Sequence, residues 1–475
     1  MKKILSTIFI LTFLLVLITG CQDRSNLTAP TPQSLKSGSA DFTRFVTIGN
    51  SITAGYQSSA LYQDAQVWSY GNQIAKLVNT TYAMPLISDP GLGGQLVIHQ
   101  LVPGPQIISL PSSGVPLNLN YQYPYNNLGI PGAMVYDVLN AKDSLSCYSG
   151  KYFGQPNPFF NLILRGIGTQ FQQAKLLQPT LVTCWIGNND VLTYATHGGV
   201  PSVLLTPATT FSALYGLLGD SLASLGAKIV VANIPDVTTI PFFTTVGPKF
   251  AESAPWAYFQ SKGLPGFCYG NHEGGVTGVA DSLDLATLKV LITLQGQGAL
   301  AFIGDTTGAY YTVNNISVPA GVNTHYPFGL VPYNPFPDQF VLDPTEIQTA
   351  ATAVQAFNAT IGNVASAKRF GLVDIHSIFN NIFLQSVMHG GLTYSGVNFS
   401  AFFIIGGLFS LDGVHPTNQG QGLIADEFLK VINTQFQASY PLINLANIPG
   451  SLNFGKRSFS KNFSFDVYNW NNFGL

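Results

Sequence analysis

The chain has 475 residues, of which 46% are hydrophobic and only 9% are charged, with a formal net charge of -2. This apolar content argues against disorder over most of the chain, and the length suits one large domain or a few small ones. A nearly neutral chain without a Lys/Arg cluster lacks the electrostatic footprint of nucleic-acid-binding proteins, so no nucleic-acid partner is expected.

The first residues predict an export signal followed by a lipid anchor. Lys2 and Lys3 precede an apolar run over residues 4–17, which is shorter than the roughly 20 residues of a membrane-spanning helix. The run ends in Thr-Gly-Cys at Cys21, which resembles the lipobox of bacterial lipoproteins. Residues 1–20 are therefore expected to be removed and Cys21 to be acylated. The alternative is an ordinary signal peptide or an uncleaved anchor with an incidental Cys.

The resemblance to lipoproteins also implies a location. The protein is expected to be held on a membrane outside the cytoplasm by its lipid. Gln rather than Asp follows Cys21, and by similarity to bacterial sorting signals this favours the outer membrane or the cell surface.

Three further cysteines are present. Cys184 lies in an apolar run and is expected to be a small buried hydrophobic residue. Cys147 and Cys268 are candidates for a disulfide in an oxidising compartment, but the sequence leaves their pairing open. No Cys-x-x-Cys or His-Glu-x-x-His pattern occurs, so no metal is expected.

Hydrophobic periodicity predicts an ordered domain over residues 42–440, after a polar tether at 21–41 and before an Asn- and Phe-rich tail at 441–475 that either packs or stays extended. Strands are expected at 45–48, 180–186, 228–232 and 371–374. Helices are expected at 70–78, 132–141, 171–177, 206–225, 345–367 and 418–436, and loops with short strands at 84–126. This alternation predicts an α/β sandwich with a mostly parallel sheet.

Residues 235–342 interrupt the alternation. This stretch is rich in Pro, Gly, Phe and Tyr, with one helical spacing near 283–295. It predicts a large insertion that decorates one sheet edge or covers the functional site. A separate small domain is the alternative, although the composition does not suggest an independent core.

Two motifs carry residues suited to nucleophilic chemistry. Ser51 directly follows the first buried strand, where α/β folds place their sites, although a Ser at a helix start is also a common N-cap. Asp412 precedes His415 by one turn, just before the last helix. The carboxylate can therefore fix the imidazole tautomer and leave Nε2 free as a base.

Two further residues are candidate hydrogen-bond donors for a developing oxyanion. Gly132 offers a backbone N–H and Asn189 a side-chain amide, although each also fits an ordinary turn. Among the other histidines only His376, with Asp374 nearby, is a distant rival to His415, and it is interpreted as structural.

The order of these residues resembles the four motif blocks of the SGNH (GDSL-like) hydrolase family. The four blocks correspond to residues 45–56, 127–139, 186–191 and 410–417. The first block departs from the family's Gly-Asp-Ser-Leu, with Asn50 for Asp and Ile52 for Leu. The resemblance implies a three-layer α/β/α sandwich with a flavodoxin-like sheet and large insertions.

The same resemblance implies a serine ester hydrolase, a lipase or esterase that works through an acyl-enzyme. Ser51 would be the nucleophile, with His415 the base and Asp412 its orienting partner, while Ser51, Gly132 and Asn189 form the oxyanion hole. Neither a metal nor an organic cofactor is implied. The expected substrate is an ester of a lipid or of an acylated carbohydrate. The alternatives are an acyltransferase with the same triad and a catalytically silent binding lipoprotein.

Overall fold

A computed structural model of the chain describes residues 36–101, 105–199, 205–270 and 277–450. The predicted signal peptide, the lipidation residue Cys21, most of the tether and the tail from residue 451 lie outside these ranges. The strands, in chain order, are β1 Phe45–Gly49, β2 Leu96–Gln100, β3 Gln106–Ser109, β4 Asn127–Gly129, β5 Leu181–Trp185, β6 Lys228–Ala232, β7 Phe267–Gly270, β8 Thr277–Ala280, β9 Leu291–Ile292, β10 Val341–Leu342, β11 Gly371–Val373, β12 Leu392–Tyr394 and β13 Val397–Phe399.

Five strands form a parallel central sheet in the order β11-β6-β5-β1-β4. Numbered along the chain, this order is 2-1-3-4-5 from the β4 edge, which is the flavodoxin-like arrangement. Every residue of β1 and β5 is buried, as expected for a parallel sheet that is covered on both faces. The predicted fold class is therefore confirmed.

The helices surround this sheet. In chain order they are α1 Ser51–Ala54, α2 Gln63–Gln66, α3 Tyr70–Leu77, α4 Asp137–Asn140, α5 Tyr148–Phe153, α6 Pro158–Leu164, α7 Gln170–Leu176, α8 Asn189–Thr196, α9 Ala208–Ala223, α10 Pro241–Thr244, α11 Val246–Ser253, α12 Trp256–Ser261, α13 Ser282–Ala286, α14 Ala309–Val313, α15 Pro344–Lys368, α16 Ile375–His389 and α17 Asn418–Phe436. Short 3₁₀ helices occur at Val237–Thr239, Leu294–Phe302, Asp338–Phe340 and Leu445–Asn447.

The two faces of the sheet are covered by different helices. On β5, Thr183 shares a hydrogen bond of 3.3 Å with the hydroxyl of Tyr70 in α3. The next residue, Cys184, points to the opposite face and lies near Tyr215 of α9. Helices α9 and α15 pack together there through stacked aromatic rings. The result is the predicted three-layer sandwich.

Most of the predicted long elements are confirmed, and the last helix begins and ends at the predicted residues. The predicted helix at 132–141 is wrong, because only Asp137–Asn140 is helical. The N–H groups of Met134 and Val135 donate to the carboxylates of Asp137 and Asp190 rather than to a helix. The sequence did not predict α16, which is capped by the side chain of Asp374.

The helical spacing predicted at 283–295 is also wrong. The chain forms α13, then the two residues of β9, which pair with β10, and then a 3₁₀ helix. Pairing with a distant strand overrides the local spacing, and Gly296 weakens helix propensity just beyond it.

The insertion at 235–342 has a hydrophobic core of its own, contrary to the expectation from its composition. Its buried residues include Phe250, Phe267, Phe328 and Phe336. The aromatic and aliphatic side chains of this stretch therefore pack mainly on each other, while the insertion stays within the same compact unit as the sheet.

Both ends of the described domain are fixed to α17. Contacts begin before the predicted start at Phe42, because Ala40 is buried and the N–H of Ser39 donates to the carbonyl of Phe436 at 2.8 Å. After α17, Leu445 and Ile448 are buried. No helix within the described ranges is both long and apolar enough to span a bilayer.

Candidate active site

Ser51 lies at the carboxyl end of β1, at the first residue of the short helix α1. The helix is capped by Asn50, whose side-chain oxygen accepts the N–H of Ile52 at 3.1 Å. The interpretation of Ser51 itself as an N-cap is therefore wrong, and its Oγ is free for another partner. Asn is one of the preferred capping residues at such a position.

The structure brings Ser51, His415 and Asp412 into one chain of hydrogen bonds. His415 Nε2 lies 2.9 Å from Ser51 Oγ, and His415 Nδ1 lies 2.9 Å from Asp412 Oδ2. These distances fall in the range expected of a nucleophile and its base. The contact joins residues at the two ends of the domain, because Ser51 follows the first sheet strand and His415 precedes the last helix.

The side chain of Asp412 is only 8% exposed and is heavily hydrogen-bonded. Besides the imidazole, its oxygens accept the backbone N–H groups of Ser59, Val414 and His415 and the hydroxyl of Ser410. Burial acts to raise the pKa of Asp412, but the adjacent His415 and these hydrogen bonds outweigh it and lower the pKa to about 2. An ionised carboxylate of this kind holds the proton on Nδ1 and stabilises an imidazolium.

A loop that the sequence did not single out supports this carboxylate. Ser58 donates its N–H to Ser410 Oγ at 2.9 Å, and Ser59 donates its N–H to Asp412 at 2.8 Å. Both serines have positive φ values, 50° and 61°. The Tyr56 ring lies 4.8 Å from the His415 ring. No local signal identifies Ser58 and Ser59, because their partners lie about 350 residues away in the chain.

The two other predicted site residues lie on neighbouring loops. Gly132 follows β4 and has φ +81°, and a Cβ there would approach Asn157 Nδ2 at 2.8 Å. Asn189 follows β5 and donates its amide to the carbonyl of Ala133 at 2.9 Å. The structure therefore joins the Gly132 loop to Asn189, and one amide hydrogen of Asn189 remains for a further acceptor.

Two buried carboxyl groups fix the Gly132 loop. Asp190 accepts the N–H of Val135 and the hydroxyl of Thr206, each at 2.9 Å. The Thr206 hydroxyl therefore binds Asp190, and no side chain caps α9. Asp137 accepts the N–H groups of Met134 and Tyr148. Burial raises the pKa of both carboxyl groups to about 7.

A cavity of about 500 Å³ opens beside the imidazole of His415. Asn189, Asp412 and His415 line it together with residues of the β2–β3 hairpin, of α8 and of the insertion. The insertion contributes Phe242, Leu294, Gln295 and Gln297. Within the described ranges, the only charged or titratable residues that line this cavity are Tyr56, His197, Asp412 and His415. A larger cavity of about 770 Å³ lies between α9 and α15, but none of the predicted site residues line it.

His376 does not join this site. Its Nδ1 lies 3.1 Å from the carbonyl of Ile234, and its Nε2 lies 3.1 Å from Asn380 Nδ2. Asp374 accepts hydrogen bonds from Asn233 and Ser377 instead of from the imidazole. Both ring nitrogens thus bind neutral groups, which fits the structural role expected for His376.

The three cysteines in the described ranges do not pair. Cys147, Cys184 and Cys268 are all buried and free, so the candidate Cys147–Cys268 disulfide is not formed. Burial raises the pKa of Cys184 and Cys268 to about 12, and neutral thiols of this kind behave as small hydrophobic groups. In the described part of the chain, no group of three or more His, Cys, Asp or Glu side chains is arranged to hold a metal ion.

Comparison with known proteins gives remote similarities only. No family model matches the chain, and no curated protein matches it. Among solved structures, LAE5, an alpha/beta hydrolase enzyme from the metagenome of Lake Arreo, Spain, is 12% identical, with 83% of this chain and 96% of that chain covered and a TM-score of 0.31. A catalytic mutant of Axe2, an acetylxylan esterase from Geobacillus stearothermophilus, is 12% identical, with 82% and 93% covered and a TM-score of 0.32. Similarity at this level assigns neither family nor function.

Proposed function

We propose that the protein is a serine hydrolase of carboxylic esters, with Ser51 as the nucleophile. The observation that carries the proposal is the hydrogen-bonded series from Ser51 Oγ through the His415 imidazole to the buried Asp412 carboxylate. Ser51 stands at the carboxyl end of a strand of the parallel sheet, where α/β folds bind ligands, and Asp412 and His415 line a cavity.

The geometry supports acyl transfer in two steps. His415 Nε2 takes the Ser51 proton as Oγ attacks the ester carbonyl, and Asp412 stabilises the imidazolium. When the tetrahedral intermediate collapses, His415 returns the proton to the leaving alcohol and an acyl-serine remains. Water then attacks the acyl-serine with His415 again as the base, which releases the acid and restores Ser51.

We assign the oxyanion hole to the backbone N–H groups of Ser51 and Gly132 and to the Asn189 amide. The N–H groups of Ser51 and Gly132 have no acceptor within the described part of the chain, so they are available to a ligand. The Asn189–Ala133 hydrogen bond orients the third donor. Donors fixed before the reaction stabilise the developing charge without reorganisation.

A serine-reactive fluorophosphonate tests this proposal directly. The parent protein is expected to gain one covalent adduct at Ser51, found by peptide mass spectrometry, and to hydrolyse nitrophenyl esters. Ser51→Ala is expected to lose both, while Ser224→Ala, at an exposed position, keeps both. Adduct formation elsewhere, or hydrolysis by Ser51→Ala at the parent rate, contradicts the assignment. Alcohols added to the assay distinguish hydrolysis from transfer to a second acceptor.

We further propose that the protein is a lipoprotein held on a membrane outside the cytoplasm through Cys21. The support is the sequence of Lys2 and Lys3, the apolar run at 4–17 and the lipobox-like ending. Growth with an alkyne-tagged palmitate is expected to label the parent protein but not Cys21→Ser. Equal labelling of both proteins contradicts the proposed anchor.

A further inference from the structure

A closed loop stands beside the candidate active site. In Ala401–Gly407 the N–H of Gly406 donates to the carbonyl of Phe402 at 3.0 Å, and the N–H of Ser400 donates to the carbonyl of Gly406 at 2.6 Å. The base of the loop is joined to Thr417, whose hydroxyl donates to the carbonyl of Gly407. The loop is therefore held in place at Thr417, two residues after His415.

The tip of this loop is apolar and faces solvent. Ile405 is 82% exposed, the highest value of any large hydrophobic side chain in the described ranges, and Phe402 is 42% exposed. Ile404 has φ +70°, which is unfavourable for a β-branched residue. Strained backbone persists mainly at functional positions. The strained conformation of Ile404 therefore favours a functional role for this tip.

The loop is continuous with the cavity. Phe403, between the two exposed residues, lines the cavity that contains His415. Leu96 and Ile107 of the β2–β3 hairpin line it as well. Phe403 therefore joins the exposed tip to the cavity that His415 lines.

The absence of charged residues around the loop indicates what the tip binds. Between Asp374 and Asp412 the sequence contains no Asp, Glu, Lys or Arg. Helix α16 in the same segment exposes Leu384, Val387 and Met388, and it is joined to the loop because the N–H of Ala401 donates to Ser386 Oγ at 2.8 Å. An apolar surface without Asp, Glu, Lys or Arg matches hydrocarbon rather than a charged headgroup or a polar glycan.

We propose that the tip Phe402–Ile405 inserts into the hydrocarbon of a lipid surface, from which the acyl chain of an ester passes along Phe403 into the cavity. The inference rests on the proposed ester hydrolysis and narrows its substrate to lipid esters presented in a bilayer. The surface itself is bound without electrostatic attraction. The Ile405 side chain enters the acyl region, and Phe403 contacts the chain that reacts.

A fluorescent label tests insertion independently of catalysis. Ile405→Cys carries a polarity-sensitive nitrobenzoxadiazole, Leu217→Cys on exposed helix α9 is the matched control, and parent protein treated alike gives the background. The described native cysteines are buried, so labelling is directed to the new thiol. Phosphatidylcholine vesicles are expected to shift the Ile405 emission to the blue and to leave the Leu217 emission unchanged.

Several results overturn the proposal. No shift at Ile405, or an equal shift at Leu217, shows that the loop does not insert specifically. A shift that requires anionic phosphatidylglycerol shows that electrostatic attraction drives binding. A shift that follows protein concentration without vesicles shows that the loop contacts a second copy of the chain instead.

The kinetic test uses Ile405→Ser, which removes an exposed side chain from the tip. The ratio of turnover on vesicle-borne dioctanoyl phosphatidylcholine to turnover on soluble nitrophenyl acetate is expected to fall about tenfold, since burial of one isoleucine in hydrocarbon is lost. Leu217→Ser is the control, and an unchanged ratio in Ile405→Ser overturns the docking role. Ser51→Ala separates the two proposals, because it is expected to insert normally and to hydrolyse nothing. If the parent protein inserts into vesicles but cleaves no ester, the proposed ester hydrolysis is contradicted and the proposed insertion is not.

Discussion

At the scale of single residues, the site depends on one imidazole placed between a hydroxyl and a carboxylate. The low pKa of Asp412, about 2, keeps the carboxylate charged at neutral pH. The backbone N–H groups of Ser59, Val414 and His415 bind its remaining lone pairs, so Asp412 cannot rotate away from the imidazole. In the proposed mechanism, the position of this carboxylate determines the tautomer of His415, and through it the reactivity of Ser51.

The first prediction concerns Ser51 and His415. Ser51→Ala and His415→Ala are each expected to lower kcat for ester hydrolysis by about four to six orders of magnitude, because either change removes the activated nucleophile. The midpoint of thermal unfolding should stay close to that of the parent. Steady-state kinetics and calorimetry check this, with Ser224→Ala as the control. Near-parent kcat in either variant contradicts the triad.

The second prediction concerns Asn189. Asn189→Ala is expected to lower kcat by about 10²–10³-fold with little change in KM, as for the loss of one oxyanion donor. Thr193→Ala, one turn further along α8 and also lining the cavity, is the comparison and should act mainly on KM. A change in KM alone for Asn189→Ala would leave Asn189 as a turn residue.

At the scale of elements, loops at the ends of three neighbouring strands bring the site together. Ser51 follows β1, Gly132 follows β4 and Asn189 follows β5. Adjacent parallel strands place their carboxyl ends at the same edge of the sheet. The three loops therefore meet because their strands are neighbours. The Gly132 loop is irregular, and the buried carboxyl groups of Asp137 and Asp190 accept the N–H groups of Met134 and Val135 in place of a helix.

The third prediction follows from the raised pKa of Asp190, about 7. An unfolded Asp ionises near pH 4. Between about pH 4 and 7 the unfolded state therefore loses a proton that the folded state keeps, and the free energy of unfolding falls as pH rises. Asp190→Asn has no such proton, so its stability relative to the parent should rise by about 2–4 kcal/mol across this window. Urea unfolding at several pH values measures this.

Exposed Asp220→Asn is the control for that series, because its carboxylate pairs with Lys368 at the surface. Its stability should track that of the parent across the same pH range. Parallel curves for Asp190→Asn and the parent would show that Asp190 does not titrate in this window.

The fourth prediction tests whether the insertion shapes the cavity. Leu294→Ala is expected to lower the ratio of kcat/KM for octanoyl to acetyl nitrophenyl esters about three- to tenfold, because an apolar wall beside the acyl chain is removed. Leu300→Ala lies in the insertion's own core and should lower the unfolding temperature while leaving the ratio unchanged. An unchanged ratio in Leu294→Ala shows that the insertion does not contact the acyl chain.

At the scale of the whole molecule, two hydrophobic cores share one compact unit. The main core joins the sheet to its covering helices, and the second lies within the insertion. The second core explains how a long stretch rich in Pro and Gly presents a defined wall to the cavity. Both cores are held by burial rather than by covalent cross-links within the described ranges.

The fifth prediction follows from those free thiols. Addition of a reducing agent is expected to leave the thermal unfolding midpoint unchanged, because no native disulfide within the described chain constrains the unfolded state. Thiol titration should give three additional reactive groups in denaturant that are protected in the folded protein. A lower midpoint under reducing conditions contradicts the unpaired state of Cys147 and Cys268.

By itself, the sequence determined the elements whose signals are local. The buried runs of β1, β5 and β6 and the long helices α15 and α17 could be predicted because hydrophobic spacing and capping residues lie within each segment. The resemblance of the motif order to a hydrolase family singled out Ser51, Asp412 and His415. The short motifs around these residues can be identified whatever the length of the segments between them.

Only the tertiary structure decided which groups meet. The contact of Ser59 with Asp412 joins residues 353 positions apart, and nothing near either residue in the sequence encodes it. The same holds for the unpaired cysteines, for the separate core of the insertion and for the tip at Ile405. Each depends on the distance between segments brought together by packing, and local spacing carries no information about that distance.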